Sequence, residues 1–161
     1  MPHKLVRYCL PLLLLPLWSG QAFAADPDVV RYAKAAPYED VREDLEFAIQ
    51  NRALLVALTS HIHAMLQRTG KDLGDDTPLF ENAQAYSFCS AKVSRAIMAA
   101  DPHNIAFCPF TIVVYSPRGE VGTTYVTYRR PPVGSNPRAA AALRELEAFL
   151  DGIAREAVGL R

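Results

Sequence analysis

Two sulfurs carry most of the chemistry open to this chain of 161 residues. Of its three cysteines, Cys9 lies in an apolar leader, which leaves Cys89 and Cys108. In an oxidising compartment an even number of thiols favours a disulfide between them. The second chemistry is nucleophilic. Cys89-Ser90-Ala91-Lys92 puts a thiol just before an expected helix start, where backbone N–H groups, the helix dipole and Lys92 would lower its pKa, with Cys108 as the resolving thiol. No Cys-x-x-Cys motif is present, and no general base stands at a defined spacing.

Histidines and one arginine are the remaining candidates. His61 and His63 are two apart, so on a strand they would share a face and could hold a metal ion together, whereas on a helix they point about 200° apart. Ser60 as a helix cap favours the helix, which makes them ordinary surface histidines unless His103 and the cysteines converge on them in space. Arg129 and Arg130 alternate across an expected last strand; either one enters a groove and pairs with an anion, or both end an edge strand with charge. His61, His63, His103 and Arg129 are therefore the ligand-binding candidates. Thr69-Gly70-Lys71 lacks the spacing of a phosphate loop, and Asp72, Asp75 and Asp76 lack the closing Glu of a calcium loop. No Gly-x-Ser-x-Gly elbow surrounds Ser90, Ser94 or Ser116, so a hydrolase has no footing.

The compartment follows from the first two dozen residues. Residues 1–24 combine basic Lys4 and Arg7, an apolar stretch from Tyr8 to Trp18 and the small-x-small ending Ala22-Phe23-Ala24, the pattern of a signal peptide cut between Ala24 and Ala25. The stretch is about half the roughly 20 residues a spanning helix needs, and Pro11 and Pro16 interrupt it, so no stable membrane anchor is expected. Cys9 lies too far before a small-residue cut site for lipidation. A periplasmic or secreted location is expected. Removing 24 residues leaves 137 of 161, enough for a single domain at 25–161 that needs neither metal nor disulfide to fold. Lys4 and Arg7 leave with the leader, so 15 basic residues face 17 acidic ones, a charge of about −2 that argues against a nucleic-acid partner.

The elements that must position these residues read in order as strand, helix, strand, helix, strand, helix, hairpin, helix. Asp28 to Ala33 is a short strand. Pro37 opens a helix with Tyr38, Val41, Leu45, Ala48 and Ile49 on one side. Leu54 to Leu58 is dense enough in apolar residues for a strand covered on both faces. Ser60 caps a short helix that Gly70 ends in a left-handed conformation. Ala83 to Cys89 is a third strand, and Ser90 caps a helix through Ala100 with Val93, Ile97 and Ala100 inward. Phe110 to Tyr115 and Thr123 to Tyr128 form a hairpin. Last comes a helix over about 137–158, with Asn136 as cap and Pro137 first. Its seam Ala139, Leu143, Leu146, Leu150, Ile153 and Ala157 runs for roughly five turns. That seam covers the domain's own sheet; pairing two copies into a homodimer is the alternative. The terminal hairpin makes the sheet mixed or antiparallel, with helices on one face, in a two-layer α+β domain. If the strands flanking the thiols are antiparallel, the turn through Asp101 to Phe107 brings Cys89 and Cys108 together; a right-handed crossover would leave them at opposite ends of the sheet.

Phe88-Cys89-Ser90-Ala91, then Ala100-Asp101-Pro102, then Phe107-Cys108-Pro109-Phe110 leading into Ile112-Val113-Val114-Tyr115 resembles the family called domain of unknown function 302, in a secreted variant. Tyr38-Glu39-Asp40-Val41 and Ile62-His63-Ala64 are similar to its first helix and strand exit. The resemblance covers roughly Val29 to Pro131. This chain differs in having Cys108 before Pro109 where the family usually has proline before cysteine, Ser90-Ala91 in place of Asn-Pro, and a leader and long last helix. The resemblance implies an α+β domain that tends to form homodimers and has no defined biochemical role. The residues together give an accessory protein that binds a small ligand, a metal ion or a periplasmic partner protein without catalysis and with no resident cofactor. The alternative is a thiol-based redox enzyme or sulfur carrier working through Cys89 with Cys108.

Overall fold

A helix over Tyr38–Gln50 (α1) forms because Val41, Leu45, Ala48 and Ile49 recur on one face and become fully buried, while Glu39 and Asp40 occupy the first turn. The computed structural model describes residues 27–160; the segment expected to be a signal peptide, with its cut between Ala24 and Ala25 and with Cys9, lies outside them. The elements run β1 (Val29–Lys34), α1, β2 (Val56–Ser60), α2 (Ile62–Gly70), β3 (Phe80–Phe88), α3 (Ala91–Ala100), β4 (Phe110–Pro117), β5 (Thr124–Arg129) and α4 (Pro137–Ala157). Short 3-10 segments, Lys71–Leu73 and Pro102–Phe107, follow α2 and α3.

The five strands make one sheet in the order β1-β5-β4-β3-β2, and every neighbouring pair is antiparallel. The fold is thus the expected α+β class. Alternation along β3, β4 and β5 sends Tyr86, Phe88, Phe110, Ile112, Val114, Val126 and Tyr128 to one face, where they form the core with α1, α4 and Ile97 of α3. All six residues of the α4 seam are buried. The seam therefore lies against the chain's own sheet, leaving nothing of it for a second copy. Asn136 caps α4 by accepting from the backbone N–H groups of Arg138 and Ala139.

Polar contacts key the layers together. Asp151 Oδ1 accepts from Tyr32 of β1 at 2.5 Å and from Tyr128 of β5 at 3.0 Å. Burial and that carboxylate push the Tyr128 hydroxyl well above its ordinary pKa, so it stays a donor. Arg52, just beyond α1, pairs with Glu156 of α4 at 2.6 Å. On the opposite face of the sheet, Tyr115 and Tyr125 stack at 5.3 Å, Phe80 meets Tyr115 edge-on, and the Arg31 guanidinium sits 5.8 Å over Tyr125.

Several local expectations are corrected. The segment read as a strand covered on both faces starts only at Val56 and is the outermost strand, with Leu58 60% exposed; apolar density alone does not reveal a strand's place in the sheet. Ser60 is the last residue of β2, and His61 takes the cap position of α2 without a side-chain bond. Gly70 keeps a right-handed φ of −58°, and Gly74 at +75° closes the turn instead. Space explains Gly70: a Cβ there would lie 2.5 Å from the Asp75 carbonyl oxygen. Finally, β5 is not an edge strand, because β1 pairs along it from Arg129 to Thr124.

The two environments predict opposite sensitivities. Ile153→Ala, at a fully buried position, should lower the free energy of urea unfolding by about 2–5 kcal/mol. Leu58→Ala on the exposed edge should change it by no more than about 0.5 kcal/mol.

Candidate functional site

Antiparallel pairing of β3 with β4 sets Phe88 opposite Phe110. The residues just beyond that pair, Cys89 and Cys108-Pro109, then meet at one end of the sheet. The connecting segment is pinned: Ser90 caps α3 by accepting from Val93 N–H, Asp101 caps the following 3-10 helix by accepting from His103 N–H, and buried Asn104 donates from Nδ2 to the Ile97 carbonyl at 2.9 Å. Cys108 N–H closes the segment by donating to the Ile105 carbonyl.

Both thiols are free, Cys89 exposed and Cys108 half-buried. The Cys89 thiol shares a hydrogen bond with Cys108 and receives the Phe110 backbone N–H. Ser94 Oγ lies 3.6 Å from Cys108 Sγ. The hydrogen bond with Cys108 chiefly, then burial and the neighbouring sulfur's charge, push Cys89 up from 9.0 to about 11, with only the Phe110 N–H opposing. This corrects the expectation of a depressed pKa. The Ser90 hydroxyl takes up the free N–H of Val93 in the first turn of α3, and exposed Lys92 is not among the groups acting on the thiol. At neutral pH Cys89 is therefore a protonated thiol and a poor nucleophile.

The histidines stay apart. His61 accepts at Nδ1 from Gln84 Nε2 at 3.0 Å, His63 faces a shallow hollow beside Leu66 and Asp75, and exposed His103 sits on the 3-10 helix Pro102–Phe107. Among the described residues no group of three or more His, Cys, Asp or Glu side chains could hold a metal ion.

Arg129 is placed differently. It ends β5 on the rim of a groove of about 660 Å³. Val29, Phe107, Pro109 and Val113 line it together with the buried Leu146 and Leu150 of α4, and Thr111 and Thr127 add hydroxyls. Among the described residues Arg129 has no carboxylate partner, whereas Arg130 is tied to Glu147 at 2.7 Å and to the Pro27 carbonyl. Phe107 and Pro109 flank Cys108, so the groove and the thiol pair share an edge. Sequence reasoning offered a groove at Arg129 or Arg130 as one of two readings but could not outline it, because its lining comes from positions 29 to 150.

Comparison with known proteins now adds the family. The profile described as Domain of unknown function DUF302 matches residues 30–157. The chain belongs to this family. The match runs through α4, beyond the Val29 to Pro131 span of the sequence resemblance. The fold is also similar to the crystal structure of an uncharacterised conserved protein DUF302 from Bacillus stearothermophilus, with a TM-score of 0.67 and 18% identity over 82% of this chain and 99% of that one. At that identity the likeness speaks for the fold alone. No match is found among curated proteins.

The thiol geometry sets a reactivity profile. The rate of Cys89 alkylation by iodoacetamide, followed by peptide mass, should reach half its maximum near pH 11 and shift back toward 9.0 in Cys108→Ser. A wild-type midpoint below 9.0 would refute the description of Cys89 as a held thiol.

Proposed function

We propose that this DUF302 protein is an exported, non-catalytic binding module that takes a small amphipathic anion in the groove at the end of its sheet. One observation carries the reading: a largely apolar hollow of about 660 Å³ with one unpaired guanidinium, Arg129, on its rim. That volume is in the range of small-molecule sites, in which an apolar lining supplies affinity and a few polar groups fix orientation. Arg129 would grip a carboxylate, sulfonate or phosphate end through its planar fork, while the ligand's apolar body rests against Val113 and Pro109.

Support for a passive role comes from the groove's lining, which offers one free cation and the hydroxyls of Thr111, Thr127 and Tyr128, the last two already donating to Val30 and Asp151, but no carboxylate or histidine to move a proton. The redox alternative asks for an ionised Cys89 near neutral pH, and its hydrogen bond with Cys108 works against that. The exported location rests on Lys4, Arg7 and the Ala22-Phe23-Ala24 ending.

The test uses 1-anilinonaphthalene-8-sulfonate, which joins aromatic rings to an anion. Its fluorescence should saturate at one molecule per chain, and Arg129→Ala should weaken binding about tenfold, equal to about 1.4 kcal/mol. Val113→Trp, which fills the groove, should remove it. Binding that ignores both substitutions would overturn the proposal. Export is checked separately by intact mass: the secreted protein should begin at Ala25.

A further inference from the structure

Cys89 and Cys108 present two sulfurs side by side, one open to solvent and the other half-buried. Each has its own hydrogen-bonding group: the Phe110 backbone N–H at Cys89 and the Ser94 hydroxyl at Cys108. Neither group is a metal ligand in its own right, but both can stabilise a thiolate, as the outer partners of a metal-bound sulfur do. Their positions are not adjustable at will, because the register of β3 against β4 and the Ser90, Asp101 and Asn104 contacts hold the surrounding backbone.

Which ion such a pair could hold follows from what stands near it. Zinc asks for about four ligands and iron–sulfur clusters for four cysteines. Among the described residues no third His, Cys, Asp or Glu joins the two sulfurs, and His61, His63 and His103 belong to other surfaces. Two thiolates without oxygen or imidazole suit a soft closed-shell ion that is content with two ligands. We infer that Cys89 and Cys108 form a two-coordinate site for a soft monovalent ion of the Cu(I) class, bound as a bis-thiolate at the end of the sheet.

The step balances without electron transfer. Two S–H bonds break, two metal–sulfur bonds form, and two protons pass to water; the ion enters and stays as Cu(I). Exposed Cys89 gives the entry path, and the ion must displace the proton that Cys108 helps to hold there. Affinity therefore climbs with pH. The sulfurs and the groove share an edge but use different side chains, since Arg129 is not among the groups acting on Cys89.

The experiment titrates the full secreted protein, reduced and under anaerobic conditions, with Cu(I) buffered by bathocuproine disulfonate. One equivalent per chain should transfer from the chelator, with apparent affinity rising about a hundredfold from pH 6 to pH 7 because two protons leave for each ion bound. Cys89→Ser and Cys108→Ser should each remove the endpoint while keeping the far-ultraviolet spectrum. Ser94→Ala should keep one equivalent but weaken it about tenfold. In the wild type, bound Cu(I) should also protect both cysteines from iodoacetamide, a readout that needs no variant to fold. Failure to draw Cu(I) from the chelator, an endpoint that survives the double Cys→Ser substitution, or displacement by equimolar Zn(II) would each overturn the inference.

Discussion

The edge-to-face contact between Phe88 and Phe110, with ring centres 6.3 Å apart, fixes the register on which both candidate sites depend. Phe149 of α4 meets Phe110 at the same separation, so helix and hairpin clamp the pairing from the core side. Because side chains alternate along a strand, a slip of one residue would turn every core ring to the open face. It would also part Cys89 from Cys108. A packing constraint deep in the core is thus what places two sulfurs together at the surface.

Much of this was legible because the signals are local. Helix periodicity marked the buried faces of α1 and α4, Asn136 and Ser90 are caps as their side chains suggest, and β-branched runs marked the hairpin. The meeting of the thiols was legible only as a condition, since it needed β3 and β4 to be antiparallel, which the sheet satisfies. What sequence could not give is the order of strands. The Leu54 to Leu58 run has the composition of a core strand, yet β2 lies at the edge, and one of the two readings of Arg129 and Arg130 put them on an edge that β1 in fact covers. Both errors have the same source: composition reports how well a residue tolerates burial, and only long-range pairing decides whether burial is on offer.

Cys89 illustrates a second limit. Its position before α3 was read as electropositive, which is sound for an isolated helix start. In the fold the dominant neighbour is another sulfur, brought from beyond a helix and a 3-10 segment, and its sign is opposite. The adjoining groove has the same character. Its walls come from β1, β4, β5, α4 and the loop before β4, so no window of sequence could outline it.

Asp151 has a role in how the molecule breathes. One carboxylate oxygen accepts hydroxyls from both Tyr32 and Tyr128, which sit on neighbouring strands. Rolling or lifting α4 would strand two phenols and a charge at once, so the helix cannot fray from β1 and β5 piecemeal. Slow amide exchange in those three elements would then proceed through a common opening of one free energy, while β2 and α2, outside that unit, would exchange on their own faster clock.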